Sequence, residues 1–286
     1  MTTQELDPLF PGQTFISTVL GTLDTKERMR ADMLRRYLQR AAMAGVLIGV
    51  MYVTNYSLVA TFTAIPVGDT TLAGIGTIAG AMIFGWALVF IYYTKSELLT
   101  SNMMIVSIGA YYRRMGSVKA LRLLFYCYVG NILGGLFIAV LLAFSTLLDG
   151  GVMDAMSSSV DHKLEYVTEG ISGWADLLVR AILCNFMINL AMLVVYNGLI
   201  KSDVMKSAVM LAAVFVFVFL GLEHSVANTV LFEIVGLQEG IDIGPALGNL
   251  GLALLGNFIG GGILIGLYYA YVNDKARHLR KTSGAG

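Results

Sequence analysis

The chain has 286 residues, of which 57% are apolar and 13% charged, with a formal net charge of zero and a mean hydropathy of +0.74. A soluble domain of this length carries about 25% charged residues, so a fully solvated surface is excluded and lipid must cover much of the chain. The length suits one compact membrane domain, and Cys127 and Cys184, both inside apolar runs, read as small buried hydrophobes, not as a disulfide framework or metal site.

Residues 1–40 read as a cytoplasmic N-terminal segment. Asp7, Pro8 and Pro11, with no basic n-region, argue against a cleavable signal peptide. Between Thr25 and Leu38, the apolar residues Met29, Met33 and Tyr37, with Leu34 and Leu38, fall at helical spacing among arginines. That pattern predicts either a basic amphipathic helix lying in the membrane interface or a solvated lead-in helix. A hydrocarbon core of about 30 Å needs about 20 apolar residues as a helix. Six stretches qualify: 41–65, 71–93 continuing after an interruption to 112, 120–147, 172–198, 205–236 with an interruption, and 244–272. They make up a transmembrane domain over 41–273, followed by a cytoplasmic tail, 274–286.

Basic residues set the orientation. Lys26, Arg28, Arg30, Arg35, Arg36 and Arg40 precede the first span. Arg113, Arg114, Lys119 and Arg122 lie between the second and third, and Lys201 and Lys206 between the fourth and fifth. Lys275, Arg277, Arg280 and Lys281 lie in the tail. The other face carries Asp69, Asp149, Asp154, Asp161, Glu165, Glu169, Glu233, Glu239 and Asp242, against the single base Lys163. Both termini are therefore expected in the cytoplasm of a multi-pass cell-membrane protein.

The chain also repeats itself. Gly130-Asn131-Ile132-Leu133-Gly134-Gly135 returns 126 residues later as Gly256-Asn257-Phe258-Ile259-Gly260-Gly261, and at the same offset Glu97 falls on Glu223 and Asn102 on Asn228. Each half, about 41–148 and 160–272, holds three spans, so the second inserts upside down. The expected fold is an all-α polytopic membrane protein of six transmembrane helices in an inverted 3+3 repeat. Its second and fifth helices are broken at Lys95–Asn102 and Gly221–Asn228. A charge at mid-span costs about 2.5–3.5 kcal/mol on insertion scales, and unwound backbone survives there only inside protein or beside a wet cavity. The two breaks should therefore meet and flank a path for a small solute. Glycines 256, 260, 261, 262 and 266 suggest close helix approach in the last span.

These residues carry a resemblance. Gly221-Leu222-Glu223-His224-Ser225-Val226-Ala227-Asn228 is similar to the fifth-helix signature of the formate/nitrite transporter family. Glu97-Leu98-Leu99-Thr100-Ser101 resembles its second-helix break, and Arg180-Ala181-Ile182-Leu183-Cys184-Asn185 its fourth-helix motif. The similarity runs from about residue 30 to 273. It implies an aquaporin-like fold and a homopentamer in the bilayer with one pore per protomer. It also implies His224 at the pore midpoint with Thr100 opposite, two apolar constrictions drawn from Phe84, Leu88, Leu99, Ile188 and Phe217, and Asn185 near the outer one. Read without the family, a lone imidazole in an apolar run is more often a core histidine, but its place in one of two matched helix breaks favours a pore role for His224, whereas the apolar residues read as ordinary packing.

The chain departs from the family pattern at the outer mouth. Anion-carrying members place a lysine sixteen residues before the fourth-helix asparagine, and counting back from Asn185 lands on Glu169. A glutamate there would gather cations, so a weak base such as ammonium is the expected solute. The alternative is that Glu169 pairs with Lys163 or a neighbouring subunit and the pore carries formate, nitrite, lactate or hydrosulfide with a proton. Catalysis is not expected, because only His162, His224 and His278 are present and only one lies in a span. No cofactor, metal or nucleic-acid partner is expected either.

Overall fold

The computed structural model describes residues 8–283, with side chains as far as Leu279. The outer ends of the expected terminal segments, and the Arg280 and Lys281 side chains, lie outside the described residues. Thirteen α-helices follow in order: α1 Gln13–Asp32, α2 Leu34–Thr63, α3 Ala73–Phe84, α4 Trp86–Tyr93, α5 Leu99–Tyr111, α6 Ser117–Leu142, α7 Val152–Thr168, α8 Ile171–Tyr196, α9 Asp203–Phe219, α10 Ser225–Gln238, α11 Ile243–Asn257, α12 Tyr268–Val272 and α13 Lys275–Ser283. A π-helical stretch, Phe258–Leu267, joins α11 to α12. A hairpin of two two-residue strands, Pro66–Val67 and Thr70–Thr71, follows α2.

Among the described residues, five helical stretches are long and apolar enough to cross a bilayer: Leu34–Thr63, Ala73–Tyr93, Ser117–Leu142, Ile171–Tyr196 and Ile243–Val272. They coincide with five of the six expected spans. The sixth, 205–236, falls on α9 and α10, which have 17 and 14 residues and are each too short alone. Apolar side chains line both sides of these helices. On α6, Leu123 and Cys127 are buried while Leu121, Phe125 and Phe137 are exposed. A helix apolar all round suits a lipid surround.

Glycine lets the long helices touch. A side chain at Gly130 would run into Ala41 Cβ and one at Gly134 into the Ala42 carbonyl; at Gly256 and Gly260 the obstacles are Ala181 Cβ and the Ile182 carbonyl. α2 and α6 thus pack backbone to backbone, as do α8 and the last span, in the small-residue mode of membrane helices.

Two expectations at the N-terminus need correction. The helix begins at Gln13, well before Thr25, and is interrupted at Met33, whose φ of −139° and ψ of 46° end α1 before α2 starts at Leu34. α1 does not lie free in the interface either: Phe15, Ile16, Val19, Leu23 and Met29 are buried against the protein. Of the expected apolar stripe, Tyr37 is fully buried in α2, and Met33 is exposed at the break. α7 is a further element that the hydropathy did not announce, because a 17-residue amphipathic helix, burying Val152, Met156 and Val160, is too polar to register as a span.

Candidate functional site

Two short non-helical segments, between α4 and α5 and between α9 and α10, are built alike. Each begins with a left-handed residue, Lys95 (φ 56°) or Gly221 (φ 63°). Each closes the preceding helix with the same pair of bonds: Lys95 N–H to Tyr92 O at 3.3 Å and Ser96 N–H to Ile91 O at 3.0 Å, then Gly221 N–H to Val218 O at 3.1 Å and Leu222 N–H to Phe217 O at 2.8 Å. This is the Schellman closure, for which glycine is the usual residue. Lys95 bears the strain of that conformation without a glycine. Leu98 and His224 then adopt extended backbone and start the next helix.

The open backbone groups are satisfied by two asparagines, both fully buried. Asn131 Oδ1 accepts from Leu99 N–H at 3.1 Å, and its Nδ2 donates to the Ala41 and Glu97 carbonyls at 2.8 Å each. Asn257 Oδ1 accepts from Ser225 N–H at 2.8 Å, and its Nδ2 donates to the Ala181 carbonyl at 2.8 Å and the Glu223 carbonyl at 2.9 Å. Without these bonds each segment would leave buried backbone unpaired, at about 1–3 kcal/mol per group.

The carboxylates are treated alike too. Glu97, 4% exposed, pairs with Lys26 of α1 and accepts from Asn102 Nδ2 at 3.2 Å. Glu223, 2% exposed, accepts from Lys163 Nζ of α7 at 2.6 Å and from Asn228 Nδ2 at 2.5 Å. A buried carboxylate needs such a cation and donor, because unpaired it loses its hydration for nothing.

The two segments meet through His224. Its Nδ1 accepts the Ala227 N–H at 3.0 Å, capping α10. That assigns the neutral ring's proton to Nε2, which lies 2.9 Å from Thr100 Oγ1 at the start of α5. Nε2–H therefore donates to Thr100, and the threonine hydroxyl keeps its own proton free for another acceptor. Phe217 stacks on the imidazole, centroids 5.9 Å apart, and meets Phe84 edge-on at 6.1 Å.

Beside this pair is a cavity of only about 20 Å³, lined by Ile48, Phe84, Leu88, Ile188 and Phe217 with His224 the sole ionisable group on its wall. It holds about one water-sized sphere. A larger vestibule of about 330 Å³ adjoins it, sharing Leu88, Ile91 and Leu98 and reaching Lys26, Arg40, Lys95 and Glu97.

Of the expected residues, Phe84, Leu88, Ile188, Phe217 and His224 line the small cavity and Glu97 the vestibule, with Thr100 bonded to His224; Asn102 and Asn228 hold the two buried carboxylates. Leu99 is buried but does not line the small cavity; its part is the backbone bond to Asn131. Asn185 is a brace: its Nδ2 donates to the Thr100 carbonyl at 3.2 Å and the Asn257 carbonyl at 2.6 Å. Glu169 is exposed where α7 ends, its N–H bonded to Glu165 O at 2.9 Å, and the base that reaches the second segment is Lys163. Between Glu169 and Asn185 the chain turns at Glu169–Gly170 (Gly170 φ 73°) before α8 begins. Sequence reasoning missed Asn189, whose Nδ2 reaches Asn185 Oδ1 at 2.7 Å and the Thr100 carbonyl at 3.3 Å. It lies one helical turn beyond Asn185, a polar i,i+4 pair inside a span.

The chain is similar to known membrane proteins over most of its length. It is 27% identical over 224 residues to the formate channel FocA of Haemophilus influenzae, covering 70% of this chain and 75% of that one. It is 25% identical over 239 residues to the nitrite transporter NirC of Escherichia coli, covering 82% and 83%. In fold it resembles a solved FNT family ion channel, with a TM-score of 0.77 at 21% identity over 91% of this chain and 98% of that one. A solved pentameric formate channel with formate bound gives a TM-score of 0.65 at 20% identity over 83% and 96%. The family model for the formate/nitrite transporter matches residues 13–271, and the chain belongs to that family.

Proposed function

We propose that the chain is a homopentameric channel of a cell membrane in which each protomer passes a small monovalent anion of the formate or nitrite kind, together with a proton. On this reading α9 and α10 together form the remaining span. The six spans make an inverted 3+3 repeat, and both termini face the cytoplasm. The observation that carries the proposal is the His224–Thr100 bond beside a narrow apolar neck, flanked by the buried pairs Lys26–Glu97 and Lys163–Glu223. A bare anion in the neck would lose its water with no cation to replace it, at a cost of several kcal/mol or more. The neutral conjugate acid escapes that cost. His224, hydrogen-bonded to Thr100, is the polar side chain on the wall of the neck, and the two positive charges in excess in the adjoining vestibule raise the anion's concentration beside it. Phe84, Leu88, Ile188 and Phe217 exclude water, while Asn185, Asn102 and Asn228 hold the frame.

A weak-base channel was the other expectation, and it rested on Glu169 at the mouth. The proximity of Lys163 to Glu223, together with the exposure of Glu169, favours the anion. The test is flux into liposomes that hold the purified protein and a pH dye. Formate and nitrite should enter with internal acidification, and ammonium should not exceed the protein-free rate. His224→Phe should abolish proton-linked uptake with the oligomer intact. Glu169→Lys should leave the formate-to-ammonium ratio unchanged. Ammonium entering faster than formate, or a ratio reversed by Glu169→Lys, would overturn the proposal.

A further inference from the structure

The vestibule on the α1 side is larger and more cationic than a monovalent solute requires. Lys26, Arg40 and Lys95 line it with one carboxylate, Glu97, leaving two positive charges in excess. Lys26 is committed to Glu97. Arg40 has no acidic partner among the described residues, yet its position is fixed, because its carbonyl accepts the Glu97 N–H at 3.1 Å. Lys95 also has no acidic partner among the described residues. Its ammonium rests 4.6 Å from the centroid of the Tyr92 ring, and its left-handed backbone fixes where the stem starts. Hydroxyls of Thr25, Ser96 and Ser101 line the same space. At about 330 Å³ it lies within the size range of small-ligand pockets, whereas the neck beyond it measures about 20 Å³.

We propose that this vestibule binds a small multivalent oxyanion, of the phosphate-ester or dicarboxylate class, between Arg40 and Lys95, and that the bound anion blocks the pore from the α1 side. A monovalent anion neutralises one of the two free cations. A divalent one spans both and takes charge-assisted bonds from each. It cannot continue, because the neck is too narrow and a second negative charge would have to be neutralised before entry. The transported and the blocking anion are thus separated by charge and size. The blocking step rests on the proposed function; the binding site does not.

Inorganic pyrophosphate is the probe. Calorimetry on the purified oligomer should show one site per protomer, and Arg40→Gln or Lys95→Asn should each weaken it about tenfold, the loss expected for one charged hydrogen bond. Asparagine is chosen at 95 because it tolerates left-handed backbone. Arg40→Lys, which keeps the charge, should retain most of the affinity and guards against a folding defect. In oriented vesicles pyrophosphate on the α1 side should inhibit formate flux, and chloride at equal ionic strength should not. Unchanged affinity in both charge-removing variants overturns the site, and inhibition matched by chloride overturns the block. Absent formate flux with intact, Arg40-dependent binding would refute the transport reading and leave the site standing.

Discussion

Asn257 offers the sharpest test of how the second break is held. Its side chain is fully buried and satisfies three backbone groups from three places: Ser225 N–H at the start of α10, the Glu223 carbonyl within the break, and the Ala181 carbonyl on α8. Asn257→Leu keeps the volume nearly constant and removes all three partners. With about 1–3 kcal/mol for each buried group left unpaired, the loss should fall at about 3–6 kcal/mol, since relaxation recovers part of the upper sum. Asn257→Asp keeps the acceptor for Ser225 but turns a carboxylate oxygen toward two carbonyls, and should be at least as harmful. The magnitude is large against a whole-domain stability of about 5–15 kcal/mol.

The assay is thermal unfolding of the purified oligomer in detergent, with formate flux at a temperature where the variant remains folded. At about 2–4 °C per kcal/mol for a chain of this class, Asn257→Leu should lower the midpoint by about 6–24 °C. Asn131→Leu should cost a similar amount, because Asn131 makes the matching three bonds. Serine at Thr168, whose side chain bonds only the Glu165 carbonyl one turn back on an exposed face, serves as the control and should move the midpoint little. Midpoint shifts below 2 °C in both asparagine variants would refute the claim that these side chains stabilise the unwound backbone.

Three further outcomes follow from the same geometry. Lys163→Met should cost about 3–5 kcal/mol by stranding buried Glu223, and adding Glu223→Gln should restore much of it, as read by a double-mutant cycle on thermal stability. Gly260→Val should prevent assembly, since its Cβ would enter the Ile182 carbonyl, whereas Gly74→Ala, with nothing within 4 Å, should be neutral or slightly stabilising; size-exclusion profiles separate the two. Cysteines at Asp154 or Ser157 should label from outside intact cells and cysteines at Ser117 or Ser202 should not, the reverse pattern inverting the topology drawn from the basic residues.

What could be read from the sequence was what the backbone encodes locally. Glu97, Asn102 and Asn131 recur at a constant offset of 126 residues because each break needs its own carboxylate, its own amide and its own bracing asparagine at fixed distances along the chain. The left-handed residue obeys the same offset, Lys95 to Gly221. That match was hidden because the two side chains share nothing but a φ angle. The partners across the interface escape the offset altogether. Gly130 and Gly134 pack on Ala41 and Ala42, while Gly256 and Gly260 pack on Ala181 and Ile182, so these contacts repeat at 140 residues. α1 and α7 precede α2 and α8 in the same way, but α1 runs into α2 across Met33 alone whereas Glu169 and Gly170 separate α7 from α8, and the matching contacts therefore do not share one offset. The lysines themselves, Lys26 on α1 and Lys163 on α7, share no register at all, since a buried carboxylate demands only that some cation reach it and leaves open which helix supplies it. The chemistry of the site was therefore legible wherever one short segment carries it, and illegible wherever it depends on which helix folds back to complete it.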